Sequence, residues 1–319
     1  MRALITGGAG FIGSHLAENL LKRDWEVNII DDLSTGTFEN IAHLENEKKF
    51  SYTIDTIMDI KVMEELVDRA DVIYHLAAAV GVQYIIDNPL KALQVNIRGT
   101  EIILELANKK KKKALIASTS EIYGKSDKIP FSEKDDRVLG STHISRWGYS
   151  ASKAVDEFLA LAYYREKRLP VVVVRLFNTV GPRQSGQYGM VIPKFVHQAL
   201  LNHPLLVYGD GKQSRCFAYV EDVVNGMITL MEHPQAVGEI FNLGSKEPIT
   251  IEELAKKVKE LCQSRSEIIY VPYNQAYEEG FEDMKRRMPD LNKVKKLIGY
   301  EPQFNLDDIL ERVIEYFKT

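Results

Sequence analysis

Cysteine is nearly missing from this chain. Only Cys216 and Cys262 occur in 319 residues, far apart and in no metal-ligand spacing. That excludes a disulfide framework and a cysteine-built zinc or iron–sulfur site. It fits a reducing compartment, so a cytoplasmic protein is expected, with no metal. No apolar run approaches the roughly 18 residues of a membrane span, so a membrane partner is not expected. A basic excess is lacking too. Lys and Arg number 41 against 45 Asp and Glu, a formal charge of -4, which argues against nucleic acid as a partner. The chain opens on an apolar stretch, Met1 to Thr6, without the basic start and cleavage site of a secretory leader. It shows no internal repeat.

What is present is ordinary for a globular protein: 45% hydrophobic and 27% charged residues, enough for a core of normal size. Through residue 175 short apolar runs alternate with amphipathic segments. Strands are expected at 2–6, 27–31, 50–54, 72–76, 114–118 and 171–175, and helices at 12–23, 58–68, 89–109 and 149–167. The strand candidates are rich in Val, Ile and Leu without clean alternation, the mark of burial on both faces of a parallel sheet. The expectation is a doubly wound α/β sheet with helices on each side. Beyond about Phe177 glycine and proline punctuate the chain. Helices are expected at 191–201 and 222–231, strands near 216–220 and 240–243, and a closing helix at 306–317. Thr250-Ile251-Glu252-Glu253 reads as a capping box opening a helix to about Leu261. The five lysines 109–113 read as a solvated helix end.

Between the first strand and first helix stands Thr6-Gly7-Gly8-Ala9-Gly10-Phe11-Ile12-Gly13, a G-x-G-x-x-G pattern through Gly8, Gly10 and Gly13. Glycines there let a pyrophosphate approach the backbone at a helix N-terminus, where free amides favour anions. Asp31 ends the second strand. An acid there accepts both ribose hydroxyls and repels a 2′-phosphate, favouring NAD over NADP. Asp32 is solvated or shares the ribose.

Tyr149 and Lys153 are four apart on an expected helix and so share one face. Bringing a phenol from about 10 to about 7 takes about 4 kcal/mol of preference for the phenolate. The sequence reading assigns that task to Lys153 together with the positive nicotinamide ring. Thr119 and Glu121 follow the fifth strand, where a doubly wound sheet places ligands. Thr119 is a candidate hydrogen-bond partner for the reacting oxygen and Glu121 a candidate acid or base.

These motifs, with His75-Leu76-Ala77-Ala78, S-T-S-E-I-Y-G and Y-S-A-S-K, resemble the extended short-chain dehydrogenase/reductase superfamily. More narrowly, the chain resembles the NAD-dependent nucleotide-sugar epimerase/dehydratase family over essentially its whole length. Residues 175–183, 207–215 and 286–290 resemble that family's substrate-side motifs. The resemblance implies a Rossmann-type NAD-binding domain over 1–176, with segments around 215–242 packing onto it. A smaller C-terminal α/β domain over 177–319 would bind the nucleotide sugar. It implies that Gly7, Gly10, Phe11, Ile12 and Gly13 wrap the pyrophosphate and Asp31 holds the ribose. Asp59 and Ile60 would flank the adenine, Leu76, Ala77 and Ala78 line the cofactor, and Asn96 support it. Tyr149 would be the base, Lys153 would orient the nicotinamide ribose, and Thr119 would assist. Asn178, Arg215 and Arg287 would bind the diphosphate, with Val191 and Tyr208 near the base. Arg183 with Arg287 would counter a uronate carboxylate. The resemblance also implies a homodimer through the helices at 89–109 and 149–167.

The first half-reaction, oxidation of a sugar 4-hydroxyl, is common to the family's outcomes. The leading expectation is a UDP-sugar 4-epimerase acting on a hexose or uronate. Ser120-Glu121 after Thr119 also resembles uronate decarboxylases, and an NDP-sugar 4,6-dehydratase is the further alternative. A catalytically silent NAD sensor and a reductase of small carbonyl compounds stand as the readings from other classes.

Overall fold

The computed structural model describes residues 1–187, 189–276 and 284–318. Seven parallel strands form its main sheet: β1 (Arg2–Thr6), β2 (Glu26–Asp31), β3 (Phe50–Ile54), β4 (Val72–His75), β5 (Lys113–Thr119), β6 (Val171–Leu176) and β11 (Ile240–Leu243). Their order is β11-β6-β5-β4-β1-β2-β3, all pairs parallel. Helices connect them: α1 (Phe11–Lys22), α2 (Ile60–Arg69), α3 (Val82–Asp87), α4 (Pro89–Lys110) and α5 (Arg146–Lys167). This is the doubly wound Rossmann-type fold expected from the strand composition.

Successive side chains divide the core into two layers. Leu4, Ile30, Ile73, Ile116 and Val173 pack with Met63 and Leu66 of α2 and Ile103 and Leu106 of α4. Ile5, Ile29, Tyr74, Leu115 and Val172 point the other way, against Leu16 and Leu20 of α1. That second layer continues into Val223 and Met227 of α7 (Val220–Glu232). Both faces are thus dry, which is why the strands carry unbroken apolar runs.

The rest of the chain supplies β7 (Thr179–Val180), α6 (Val191–Leu200), β8 (Leu205–Tyr208), β9 (Ser214–Cys216), β10 (Ala218–Tyr219), β12 (Pro248–Thr250), α8 (Ile251–Leu261), β13 (Ile268–Val271), α9 (Tyr273–Ala276), β14 (Arg286–Arg287), α10 (Asn292–Ile298) and α11 (Leu306–Lys318). They form three small sheets, β10-β7, β12-β9-β14 and β13-β8. The expected strand at 216–220 is two pieces, β9 and β10, which belong to different sheets. Thr250 and Glu253 form the reciprocal capping box at the start of α8. The lysine run closes α4 and opens β5. Lys109 pairs with Glu64 at 2.7 Å, while Lys113 reaches back to the Met231 carbonyl.

Among the described residues, no helix is long and apolar enough to cross a membrane.

Candidate active site

Strand order reverses between β1 and β4, and a crevice opens there at the carboxyl ends of the strands. The cleft encloses about 700 Å³, the size of a cofactor or ligand pocket. Its walls follow β1 (Gly7 to Gly13), β4 (Leu76 to Gly81), β5 (Thr119 to Glu121) and β6 (Phe177 to Val180).

Two glycines make the cradle. Gly7 has φ +71°, and a Cβ on it would stand 2.8 Å from the Ala77 amide nitrogen. A Cβ on Gly13 would stand 2.2 Å from the Gly7 carbonyl oxygen, too close for any side chain. The bare turn and the N-terminus of α1 therefore present free backbone to the cleft. Asp31 ends β2 inside it. One oxygen accepts the Ala9 N–H and the other the Leu33 N–H, both at 2.9 Å. Burial pushes its carboxyl up, while those N–H donors hold it down. Each oxygen keeps acceptor capacity for a ribose hydroxyl. Glycine cradle, helix N-terminus and buried acid together fit NAD. Asp32 also lines the cleft and accepts the Ser34 N–H at 3.0 Å.

Most residues singled out in the sequence converge here. Gly7, Gly10, Phe11, Ile12, Gly13, Asp31, Asp32, Leu76, Ala77, Ala78, Thr119, Glu121, Tyr149, Lys153, Asn178, Arg183, Val191, Tyr208, Arg215 and Arg287 all line the one cleft. Asn96 stands behind it, buried, exchanging hydrogen bonds with both backbone groups of Ala79 at 2.8 and 3.4 Å.

Two expectations need correcting. Asp59 and Ile60 do not line the cleft. Asp59 is the N-cap of α2, its carboxylate accepting the Lys61 and Val62 amides, and Ile60 is exposed. Asp55, Thr56 and Ile57 stand at that wall instead. Arg183 does line the cleft, but it does not join Arg287. Its φ is +68°, and its guanidinium pairs with Glu18 at 2.5 Å and donates to Ser14 Oγ at 3.1 Å. It ties the loop after β7 to α1.

At the other end α5 begins three residues earlier than expected, at Arg146. Arg146, Tyr149 and Lys153 therefore share one helical stripe. The Thr119 hydroxyl faces the Tyr149 phenol. Burial pushes the Tyr149 phenol well above its ordinary range, and Glu121 and Asp156 push the same way. The Thr119 hydroxyl and Arg287 pull it down. That pull is expected from Lys153 together with the nicotinamide ring; Lys153 Nζ lies 2.7 Å from Asp156 Oδ2, both side chains buried. Glu121 holds two guanidiniums through Oε1: Arg287 at 3.2 Å and Arg146 at 3.8 Å.

Arg287 reaches this point because β14 pairs with β9, which sets Arg287 opposite Arg215. Asn178 Nδ2 donates to the Cys216 carbonyl at 3.4 Å, and Tyr208 accepts from Lys194 at 2.6 Å. Behind the site Arg175, on β6, forms a buried two-pronged pair with Glu157, at 2.9 and 2.8 Å, and Glu157 accepts from Ser118 at 2.6 Å. The sequence reading missed Asp55, Thr56, Asp156 and this arginine pair. An acid at i+3 from Lys153 was the available signal for Asp156.

A sequence profile described as GDP-mannose 4,6 dehydratase matches residues 4–313. The chain belongs to this family, the NAD-dependent nucleotide-sugar epimerases and dehydratases of the extended short-chain dehydrogenase/reductase type. Among individual proteins it is similar to the UDP-N-acetyl-alpha-D-glucosaminuronate decarboxylase of Bacillus cytotoxicus, at 43% identity over 99% of this chain and 98% of that protein. It is also similar to UDP-glucuronic acid decarboxylase 1 of Danio rerio, at 38% identity over 99% of this chain and 72% of that one. Among solved structures, UDP-glucuronic acid 4-epimerase from Bacillus cereus, in complex with UDP-glucuronic acid and NAD, superposes with a TM-score of 0.89. It is 30% identical and covers 100% of this chain and 99% of that one.

Proposed function

We propose that this protein is an NAD-dependent UDP-uronate decarboxylase. It would convert UDP-glucuronate or its 2-N-acetyl analogue into the corresponding UDP-pentose and carbon dioxide. The observation that carries the reading is Glu121 held between Arg146 and Arg287 next to the Tyr149–Thr119 pair. A 4-epimerase needs one base at C4. A carboxylate and two arginines beside that base suit a substrate with its own carboxylate at C6, since planar guanidinium forks pair with carboxylates. The two decarboxylase relatives favour the same outcome over the 4-epimerase expected from the sequence.

Gly7, Gly13 and Asp31 would hold NAD+, which would supply a hydride acceptor at C4, a donor for the return step and a positive ring that favours the Tyr149 phenolate. Tyr149 takes the 4-hydroxyl proton, with Thr119 hydrogen-bonded to the same oxygen. The product of that oxidation is a β-keto acid, whose C5–C6 bond breaks to release carbon dioxide and leave an enolate across C4 and C5. Arg146 and Arg287 hold the departing carboxylate, and Glu121 passes a proton taken from solvent to C5. Tyr149 then gives its proton back to the C4 oxygen. Asn178 and Arg215 hold the diphosphate, and Val191 and Tyr208 face the uracil. The elements after residue 176, apart from β11 and α7, would form the substrate-binding part. Exposed Leu90 on α4 and Val155 and Phe158 on α5 support a homodimer through that helix pair.

Incubation with C6-labelled UDP-glucuronate and UDP-N-acetylglucosaminuronate tests the reading. Labelled carbon dioxide and a UDP-pentose in the NMR spectrum are expected, and Tyr149→Phe should lose both. A product that keeps C6 with inverted C4 would instead mean a uronate 4-epimerase, the second reading, which the Bacillus cereus structure favours.

A further inference from the structure

Lys153 does not stand alone at the floor of the cleft. Buried polar side chains from four elements of the fold gather behind it. Lys153 Nζ meets Asp156 Oδ2 at 2.7 Å, with side-chain exposures of 3% and 0%. Thr100 of α4 faces Asp156, and its Oγ1 lies 3.1 Å from His75 Nε2. His75 Nδ1 lies 2.8 Å from Thr6 Oγ1, which accepts the Ala77 N–H at 3.2 Å.

Thr6 and Thr100 flank the two ring nitrogens of His75. Burial keeps His75 neutral, holding its ring down to about 3, with Lys153 adding to the effect. A buried ammonium without a counter-ion loses its proton or its place, since removal of one member of a buried pair strands the other.

We propose that Asp156 is a positioning residue that keeps Lys153 charged and aimed into the cleft. The ionisable groups facing this pair are Tyr149 and Glu157 on the same helix and His75 on β4, with Glu121 and Arg287 beyond Tyr149. From α4 the uncharged Thr100 faces Asp156, and Asn96 donates to Ser152 at 3.3 Å. Asp156 also opposes formation of the Tyr149 phenolate, so its worth lies in holding Lys153 rather than in activating the phenol directly. The inference rests on the reading of Tyr149 and Lys153 as the reaction centre, but its first test does not depend on turnover.

Lysine labelled with carbon-13 at Cε would be followed by NMR across a pH series, the Lys153 signal being assigned by its loss in Lys153→Met. In Asp156→Asn that signal should change from ammonium to amine at least one pH unit earlier than in the unaltered protein. The pH profile of turnover should gain a matching fall on its alkaline side. Thr100→Val, which removes only the hydroxyl, should move both readouts the same way by less, and it serves if Asp156→Asn does not fold. An unmoved Lys153 signal in a folded variant would overturn the proposal and leave Asp156 a packing residue. Absence of turnover in the unaltered protein, with the signal still shifted in the variant, would instead overturn the decarboxylase reading alone.

Discussion

Arg287 meets Glu121 across 166 residues of chain, Nη2 to Oε1 at 3.2 Å. The contact joins the short strand β14 to the segment that follows β5 and so closes that end of the cleft. Replacing Glu121 by Gln keeps the shape and removes the proton carrier. Under the proposed chemistry, Glu121→Gln should still oxidise the sugar, seen as absorbance near 340 nm in a single turnover. Formation of the UDP-pentose after loss of carbon dioxide should slow about 100-fold. Equal loss of both steps would place Glu121 in binding rather than in proton transfer.

Asp31 sets the expected preference between the two nicotinamide cofactors. Asp31→Ser removes the negative charge that would meet a 2′-phosphate and leaves a hydroxyl for the neighbouring amides. The ratio of NADP to NAD affinity, measured by calorimetry, should rise on the order of tenfold or more. An unchanged ratio would mean that the ribose sits elsewhere.

Gly13 has no room for a methyl group, because the obstacle is the Gly7 carbonyl oxygen at 2.2 Å. Gly13→Ala must push the glycine turn away from α1. A loss of about 3 kcal/mol is expected from overpacking against backbone. Denaturant unfolding would measure it, and cofactor affinity should fall in parallel. Wild-type stability in that variant would contradict the described turn.

His15 carries a pH dependence with a definite sign. Its ring is held down to about 4, first by burial and then by Arg183, and its Nε2 lies 3.0 Å from the Pro182 carbonyl. In the unfolded chain it takes up a proton near about 6.5. Protonation therefore favours unfolding. The contribution of this group is complete above about 6.5 and drains as pH falls toward about 4. Its slope is about 1.4 kcal/mol per pH unit at most. His15→Gln keeps a donor for Pro182 and should flatten stability against pH in that window. An unaltered slope would show that the imidazole is not the group responsible.

The main sheet was legible because burial on both faces leaves a plain trace, runs such as Val171-Val172-Val173-Val174 that no half-exposed strand would carry. The cofactor end was legible for a similar reason, since the glycine turn and Asp31 lie within one βαβ unit and their spacing is local. The adenine wall was not. Asp55 and Asp59 are four apart in the same connection, and which of them caps α2 depends on where that helix starts. The Arg146–Glu121–Arg287 cluster could not be read as a cluster, because β14 brings its third member from the far end of the chain. Arg183 was misplaced since its left-handed backbone turns the side chain toward Glu18, and sequence carries no sign of that direction. Asp156 was visible at i+3 from Lys153, but only its burial makes it a counter-ion rather than a surface acid.

Arg146, Tyr149, Lys153 and Asp156 follow one another at intervals of three, four and three along α5. At a rise of about 1.5 Å per residue they are spread over about 15 Å of a single rod. Their mutual spacing is therefore fixed by helical pitch and is insulated from the loops around them. A packing change elsewhere can tilt the rod, but it moves all four tools together. Damage of that kind should misalign the whole set with the nicotinamide while leaving its internal calibration intact.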